Sequence, residues 1–252
     1  MTAIDLSELE LPKRIRSWIG DAPLFESSGA SGARTLFIDG KCKAYLKIAS
    51  LGTLRRAYEM QKLWHSLGLS SEVLLYASLD RDYLITAAMN GESGIHPHYL
   101  AEPERLSRVF GEALRSLHEL RVDAPPMPMA ETTESPLSQT HLERLAPFIG
   151  DINAETARHE LQANLNLLQS DVLVHGDYCL PNIVLSNWHL TGYIDIADSG
   201  MGDRHHDLAW GLWSLQYNLK DARCGELFLD AYGRDVVDPP RLRLCGLLSA
   251  LP

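Results

Sequence analysis

Three polar side chains in one stretch of this 252-residue chain have the types and spacing for work on a phosphate group. Asp177 and Asn182 lie five residues apart in His175-Gly-Asp-Tyr-Cys-Leu-Pro-Asn182, and Asp195 follows thirteen residues later, closing Tyr193-Ile-Asp195. A carboxylate can take a proton from a hydroxyl. A second carboxylate and an amide oxygen can share a hard divalent cation with phosphate oxygens and water. Singly, each has a plainer role: Asp177 in a turn, Asn182 as a cap, Asp195 at a strand end. Together, between the apolar runs around Val172 and Ile183, they present one base and two metal ligands to a triphosphate.

The same Asp-to-Asn spacing occurs in the catalytic loop of protein kinases, where the Asp is the base, the Asn holds Mg²⁺ and a later Asp completes the metal site. That template also needs a strand lysine, held by a helix glutamate, to grip the α- and β-phosphates. Lys47 lies 130 residues before Asp177 in Ala44-Tyr-Leu-Lys-Ile-Ala49. Strand alternation puts it on one face with Tyr45, and Leu46 and Ile48 on the other. Glu59, in a helical segment from Thr53 to Leu67, is the expected partner. Taken alone, Lys47 reads equally as a solvated lysine on an edge strand.

Positioning these groups takes two kinds of element. A short amphipathic helix over Leu11–Ile19 is followed by β-like runs around Leu24, over Arg34–Asp39 and over Lys43–Ile48, the last two joined by an Asp39-Gly40 turn. The small polar loop from Ser27 to Ala33 can expose backbone N–H groups to an anion. Runs over Val73–Tyr76 and Tyr83–Thr86 complete a five-stranded antiparallel lobe with one helix, and Ala87-Ala-Met-Asn-Gly91 suits a hinge. Beyond it Leu106, Phe110, Ala113, Leu114 and Leu117 recur at helix spacing, with His118 read as a core or capping histidine. A Pro-rich stretch carrying Glu131 and Glu134 leads to helical patterns around Gln139–Leu145 and 154–168, with Glu155 and Glu160 exposed by pattern. These acids form either a lid over a substrate or a solvated face. Asp207–Leu219, Gly225–Tyr232 and Arg241 onward read as further helices, with Trp210 and Trp213 in their core. The expected fold is α+β and two-lobed: a small N-terminal nucleotide-binding lobe over 1–89 and a larger, mostly helical catalytic and substrate-binding lobe over 90–252.

The composition fits an ordinary globular protein, with 45% apolar and 22% charged residues. A net charge of −10 disfavours nucleic acid or an anionic membrane as partner and suits a cationic small molecule. The N-terminus carries acids where a signal peptide needs bases, and no run approaches the ~20 apolar residues of a membrane span. Four scattered cysteines without a C-x-x-C pair read as reduced thiols in a cytoplasmic protein. His189, His205 and His206 lack the soft ligands and common direction of a zinc site.

His175-Gly-Asp-x-x-x-x-Asn182, Gly192-Tyr-Ile-Asp195 and Gly202-Asp-Arg-His-His-Asp-Leu-Ala209 together resemble the aminoglycoside phosphotransferases, which have a kinase-like fold, and within them the 3′-phosphotransferase branch. Ser31-Gly-Ala33, Tyr45-Leu-Lys47 and Leu114-Arg-Ser-Leu-His118 extend the likeness over nearly the whole chain. The resemblance implies Asp177 as catalytic base, Asn182 and Asp195 on Mg²⁺, and Lys47 on the phosphates of ATP or GTP. It further implies Tyr45 stacked on the adenine, the Ala87–Met89 backbone at the base edge, Ser27 and its neighbours over the phosphates, and Asp207 as a brace for the catalytic loop. The acceptor would be a small hydroxylated molecule, an aminoglycoside first. A same-fold kinase for another metabolite or antibiotic (an amino alcohol, a sugar, a macrolide) and a non-catalytic nucleotide-binding relative stand as alternatives. The chain departs from the family where drug amines are met. It ends Ser249-Ala-Leu-Pro252 instead of in an acidic pair and an aromatic, has Ala197-Asp198 for Gly-Arg, and has Tyr217 where some members have a glutamate. Asp198, Glu155 and Glu160 are the acids available to replace those missing.

Overall fold

The computed structural model of the protein describes residues 2–6, 9–27, 33–127 and 137–250. Ser28–Gly32 of the small polar loop, Glu131 and Glu134, and the terminal Leu251 and Pro252 lie outside the described residues. The chain divides into two compact units, Met1–Asn90 and Gly91–Pro252.

In the first unit six strands pair antiparallel among the described residues: β1 (Thr2–Ile4), β2 (Leu24–Ser27), β3 (Arg34–Asp39), β4 (Lys43–Ala49), β5 (Val73–Ser78) and β6 (Asp82–Ala87), in the order β1-β2-β3-β4-β6-β5. The edge strand β1 is one more than the sequence pattern predicts, because three residues are too few to display alternation. Two helices accompany the sheet, α1 (Lys13–Ile19) and α2 (Arg55–Ser66), in the two segments whose pattern is helical. Ile15 and Ile19 of α1 pack with Leu36, Ile38, Ala44, Leu46 and Ile85 to form the core. The opposite face carries Phe25, Phe37, Tyr45 and Thr86 in cross-strand register, with the Phe37 and Tyr45 rings 5.3 Å apart. Burying one face leaves the other to chemistry, as the alternation in β4 predicts.

The start of α2 depends on Asp82, a fully buried carboxylate at the beginning of β6. It accepts the Leu54 N–H at 2.9 Å and the Ser78 hydroxyl at 2.7 Å. Burial alone would raise its pKa, but these hydrogen bonds hold it below the usual carboxylate range.

The second unit contains β7 (Glu92–Ser93), α3 (Pro97–Leu100), α4 (Pro103–His118), α5 (Gln139–Ile149), α6 (Ala154–Asn164), β8 (Val172–Val174), β9 (Ile183–Ser186), β10 (His189–Tyr193), β11 (Gly200–Gly202), α7 (Arg204–Leu219), α8 (Ala222–Tyr232) and α9 (Pro239–Leu248). The last five helices begin on short polar caps, Ser138, Asn153, Asp203, Asp221 and Asp238, whose side chains accept a first-turn N–H. The Asp203 cap starts α7 three residues before Asp207, earlier than its apolar pattern suggests. Helix α5 continues past Leu145 and through Pro147 because Leu145 and Ile149 are buried. Two small sheets, β10-β9-β7 and β11-β8, carry the catalytic stretch between these helices. No helix among the described residues is long and apolar enough to cross a membrane.

Replacing Asp82 by Ala leaves the Leu54 N–H, at the entry to α2, without its carboxylate partner. The expected loss is about 2 kcal/mol of unfolding free energy, read as a lower urea midpoint at unchanged m-value.

Candidate active site

The loop between β8 and β9 is shaped by the backbone it leaves unpaired. His175 and Gly176 donate their N–H groups to the two oxygens of Asp207, at 2.6 and 2.9 Å, and the His118 ring reaches the same carboxylate at 3.2 Å. Asp207 is fully buried. Burial pushes its pKa up, the hydrogen bond from His118 and the charges of nearby histidines push it down, and the net direction is downward. It is therefore a carboxylate that accepts on every side. His118, with one ring nitrogen turned to Asp207, has the other free to accept from the Tyr232 hydroxyl at 2.8 Å. That confirms a core role for His118. His206 secures the loop from the other side through Nε2 to the Gly176 carbonyl at 3.0 Å.

Gly176 takes φ +88°, and a Cβ there would run into the Asp198 carbonyl oxygen. This is a position where only glycine fits. The turn delivers Asp177, whose N–H donates to His175 Nδ1 at 3.3 Å. Two buried tyrosines pin the surroundings to α4: Tyr178 donates to the Phe110 carbonyl at 2.8 Å and Tyr193 to that of Ala113 at 3.0 Å. Burial raises the pKa of both phenols, so both remain donors.

Both oxygens of Asp177 are engaged. Asn182 donates its amide N–H to Oδ2 at 2.8 Å and to the Asp177 carbonyl at 3.0 Å, while the Cys179 thiol reaches Oδ1 at 3.1 Å. Burial and the adjacent Asp177 charge drive the Cys179 pKa well up, which keeps it a thiol donor. A thiol is a weak donor, so Oδ1 is the oxygen more easily given over to another hydrogen. With its nitrogen committed twice, buried Asn182 has its amide oxygen available to a ligand. Asp195 follows β10 in the left-handed region at φ +57° with its side chain exposed. The Ile194 N–H bonds the Asn182 carbonyl at 3.0 Å, and His175 Nε2 bonds the Ile194 carbonyl at 3.0 Å. One network thus places the candidate base and both candidate metal ligands.

An amide oxygen and a carboxylate are hard donors and fit Mg²⁺, which keeps water and phosphate oxygens for its remaining positions. Among the described residues no three His, Cys, Asp or Glu side chains gather as a metal cage. His205 is occupied between Asp203 at 2.7 Å and the Asp238 N–H at 2.8 Å.

In the first unit, Lys47 and Tyr45 are half-buried on the open face of β4, and Ser27 ends β2 opposite Thr35. The Ala87 and Ala88 N–H groups are used inside the unit, donating to Glu72 at 2.9 Å and Lys43 at 2.8 Å. Met89, immediately beyond, has no hydrogen-bonding partner for its N–H among the described residues. Glu59, expected to hold Lys47, has an exposed side chain ion-paired with Arg55 one turn earlier at 3.1 Å. The i, i+4 spacing of Arg55 and Glu59 is legible in the sequence, and it is the pairing that helix geometry favours.

The candidate acceptor residues separate. Asp198 is exposed and lies against Gly176, next to the base. Glu155 is exposed in the first turn of α6. Glu160 is not a free acid: Arg243 grips it with two nitrogens, at 2.5 and 2.9 Å, tying α6 to α9. Ser249 and Ala250 are buried, and the Ala250 carbonyl accepts the Ser138 N–H at 2.7 Å. Sequence reasoning did not reveal Cys179 on the base or Ser214, which holds the Leu180 N–H at 2.9 Å. Neither residue type signals such a role without the fold.

Asp203 ties this scaffold down. Its carboxylate accepts from the Gln169 N–H at 3.0 Å, the His205 N–H at 2.9 Å and Arg241 at 2.9 Å. Burial opposes ionisation, yet the His205 and backbone hydrogen bonds bring its pKa down to about 2. The unfolded chain takes up this proton first, near pH 4. The stabilisation is therefore full above that pH and is lost as pH falls towards 2. Between pH 5 and 2 the protein should lose on the order of 2 kcal/mol more than an Asp203→Asn variant, as measured by urea unfolding across that range.

A profile of the phosphotransferase enzyme family matches residues 25–245. A protein of Lactococcus lactis named a probable aminoglycoside 3′-phosphotransferase is 37% identical, over 94% of this chain and 93% of its own. An aminoglycoside 3′-phosphotransferase of Niallia circulans is 31% identical over 64% of each. Among solved structures, an aminoglycoside 3′-phosphotransferase of type VIII superposes with a TM-score of 0.68 at 22% identity, covering 94% of this chain and 96% of that one. An aminoglycoside phosphotransferase of Streptomyces rimosus, in complex with ADP and streptomycin, superposes with a TM-score of 0.66 at 18% identity, covering 94% and 95%. These structures share the kinase-like fold.

Proposed function

Because the chain belongs to the phosphotransferase enzyme family, we propose that it transfers the γ-phosphoryl group of ATP or GTP to a hydroxyl of a small molecule, with an aminoglycoside as acceptor. The observation that carries the reading is the Asp177–Asn182 pair, with the amide nitrogen of Asn182 bonded to the base and its oxygen available to a cation. The 37% identity to the Lactococcus lactis relative over 94% of the chain supports the acceptor class.

Asp177 receives the acceptor hydroxyl at Oδ1, orients its oxygen towards the phosphorus and takes its proton as the new P–O bond forms. Asn182 holds the other oxygen, so the carboxylate enters the reaction already oriented. Asn182 and Asp195 would hold Mg²⁺, which would offset the charge on the transferring phosphoryl group and its leaving group. Lys47 meets the α- and β-phosphates, Ser27 lies at the start of the loop over them, and Tyr45 stacks on the base. The Ala87–Met89 backbone reads the base edge, with the Met89 N–H as its donor. Asp198, beside the base, and Glu155 meet the acceptor's amines, since convergent carboxylates bind ammonium groups well. Glu160 drops from that set because Arg243 neutralises it.

A panel of aminoglycosides, amino alcohols, sugars and macrolides with radiolabelled nucleotide tests the acceptor. Label on aminoglycosides is expected, and label only on another class would refute that choice. Asp177→Ala should lower turnover at least a thousandfold, within the ~10²–10⁴-fold range for a general base, with nucleotide Kd unchanged by calorimetry. Retained turnover would sink the assignment of the base.

A further inference from the structure

Asp177, the candidate base, is held at both carboxylate oxygens. Asn182 holds Oδ2 at 2.8 Å. A carboxylate held at one oxygen alone can still turn about its Cβ–Cγ bond, because that torsion has a broad profile. A second contact, from the Cys179 sulfur to Oδ1 at 3.1 Å, stops the turn.

The place of this sulfur is fixed by its surroundings. The Cys179 N–H donates to the Asp177 carbonyl at 2.9 Å, and the Cys179 carbonyl accepts the Asn182 N–H at 2.9 Å. Its backbone therefore bridges the candidate base and a candidate metal ligand, and its side chain is buried. Ser214 of α7, fully buried, accepts the N–H of the next residue, Leu180, at 2.9 Å. The Ser214 hydroxyl also bonds the Cys179 sulfur, against the rise that burial causes in the thiol pKa. The sulfur thus accepts from Ser214 and donates to Asp177. Hydrogen bonds in such a chain polarise one another, and the Ser214 hydrogen on the sulfur directs the S–H towards Oδ1.

The weakness of a thiol donor matters at this oxygen. Under the proposed reaction Oδ1 receives the acceptor hydroxyl, and a carboxylate oxygen has lone pairs for two donors. A thiol sets the orientation of the carboxylate and leaves most of the oxygen's capacity to the incoming hydroxyl.

We propose that Cys179, directed by Ser214, is a positioning residue for the reaction: its thiol fixes the rotation of the Asp177 carboxylate and keeps Oδ1 open to the acceptor's proton. The inference rests on the phosphotransfer reading above and deepens it by naming what orients the oxygen that reacts.

The test combines steady-state kinetics of two Cys179 variants with infrared spectroscopy of the thiol. Cys179→Ala should lower kcat about tenfold, the scale of one hydrogen bond, with acceptor and nucleotide KM within about twofold. Cys179→Ser leaves nearly the same space unfilled but keeps a donor, so it should regain most of the lost kcat. The S–H stretch of Cys179, identified by its absence from Cys179→Ser, should move to higher frequency in Asp177→Ala as its acceptor is removed. Wild-type kcat in Cys179→Ala, a serine variant no faster than the alanine one, or an S–H band indifferent to Asp177→Ala would each overturn the positioning role. If wild type transfers phosphate and Asp177→Ala does not, such a result overturns that role alone. A wild type that phosphorylates no acceptor overturns the phosphotransfer reading as well.

Discussion

A buried carboxylate receiving two consecutive backbone N–H groups is the constraint from which the site follows. Asp207 sits in the first turn of α7 and takes the N–H groups of His175 and Gly176 on its separate oxygens. Those groups belong to a sharp turn and have no strand partner, so without Asp207 they would be buried and unmet. An ionised carboxylate in that position is itself costly. It is held there by His118, whose other nitrogen is met by Tyr232 of α8. The catalytic loop is therefore fixed by a chain of contacts reaching across α4, α7 and α8.

The geometry of Asp177 is a consequence. Once His175 and Gly176 are fixed, the left-handed turn at Gly176 sets the direction of the next residue, and Asn182 closes back onto it. The same histidine reaches across to Ile194 and so fixes the residue before Asp195. The candidate base and candidate metal ligands share one scaffold, and a shift in any part of it displaces all three. Group-transfer chemistry that depends on positioning is sensitive to such displacements, with about 1 Å of misplacement worth ~10²-fold.

Features fixed by local spacing were legible in the sequence. The His175-to-Asn182 spacing, the alternation of Tyr45 and Lys47 against Leu46 and Ile48, and the helical stripe of α4 all follow from neighbours a few residues away. Features set by distant partners were not. Asp82 caps a helix 28 residues earlier in the chain, and Glu160 is claimed by Arg243 from α9, 83 residues on. Pattern alone could show Glu160 only as exposed. The edge strand β1 is too short to read, whereas the Arg55–Glu59 pair is legible at helix spacing. Trp213 reads as core from its helix spacing. Its place in a stack between His141 of α5 and the exposed Tyr217 needs α5 beside it, which sequence does not supply.

Under the proposed function, Asp207 acts on catalysis by holding the backbone of the loop. Asp207→Asn changes one acceptor oxygen into a donor and leaves volume nearly constant. The most direct measurement combines its kcat with hydrogen exchange at the His175 and Gly176 amides. A kcat loss of more than about a hundredfold is expected together with faster exchange at those two amides. A variant that retains kcat, or that loses it with both amides as protected as in wild type, would contradict it.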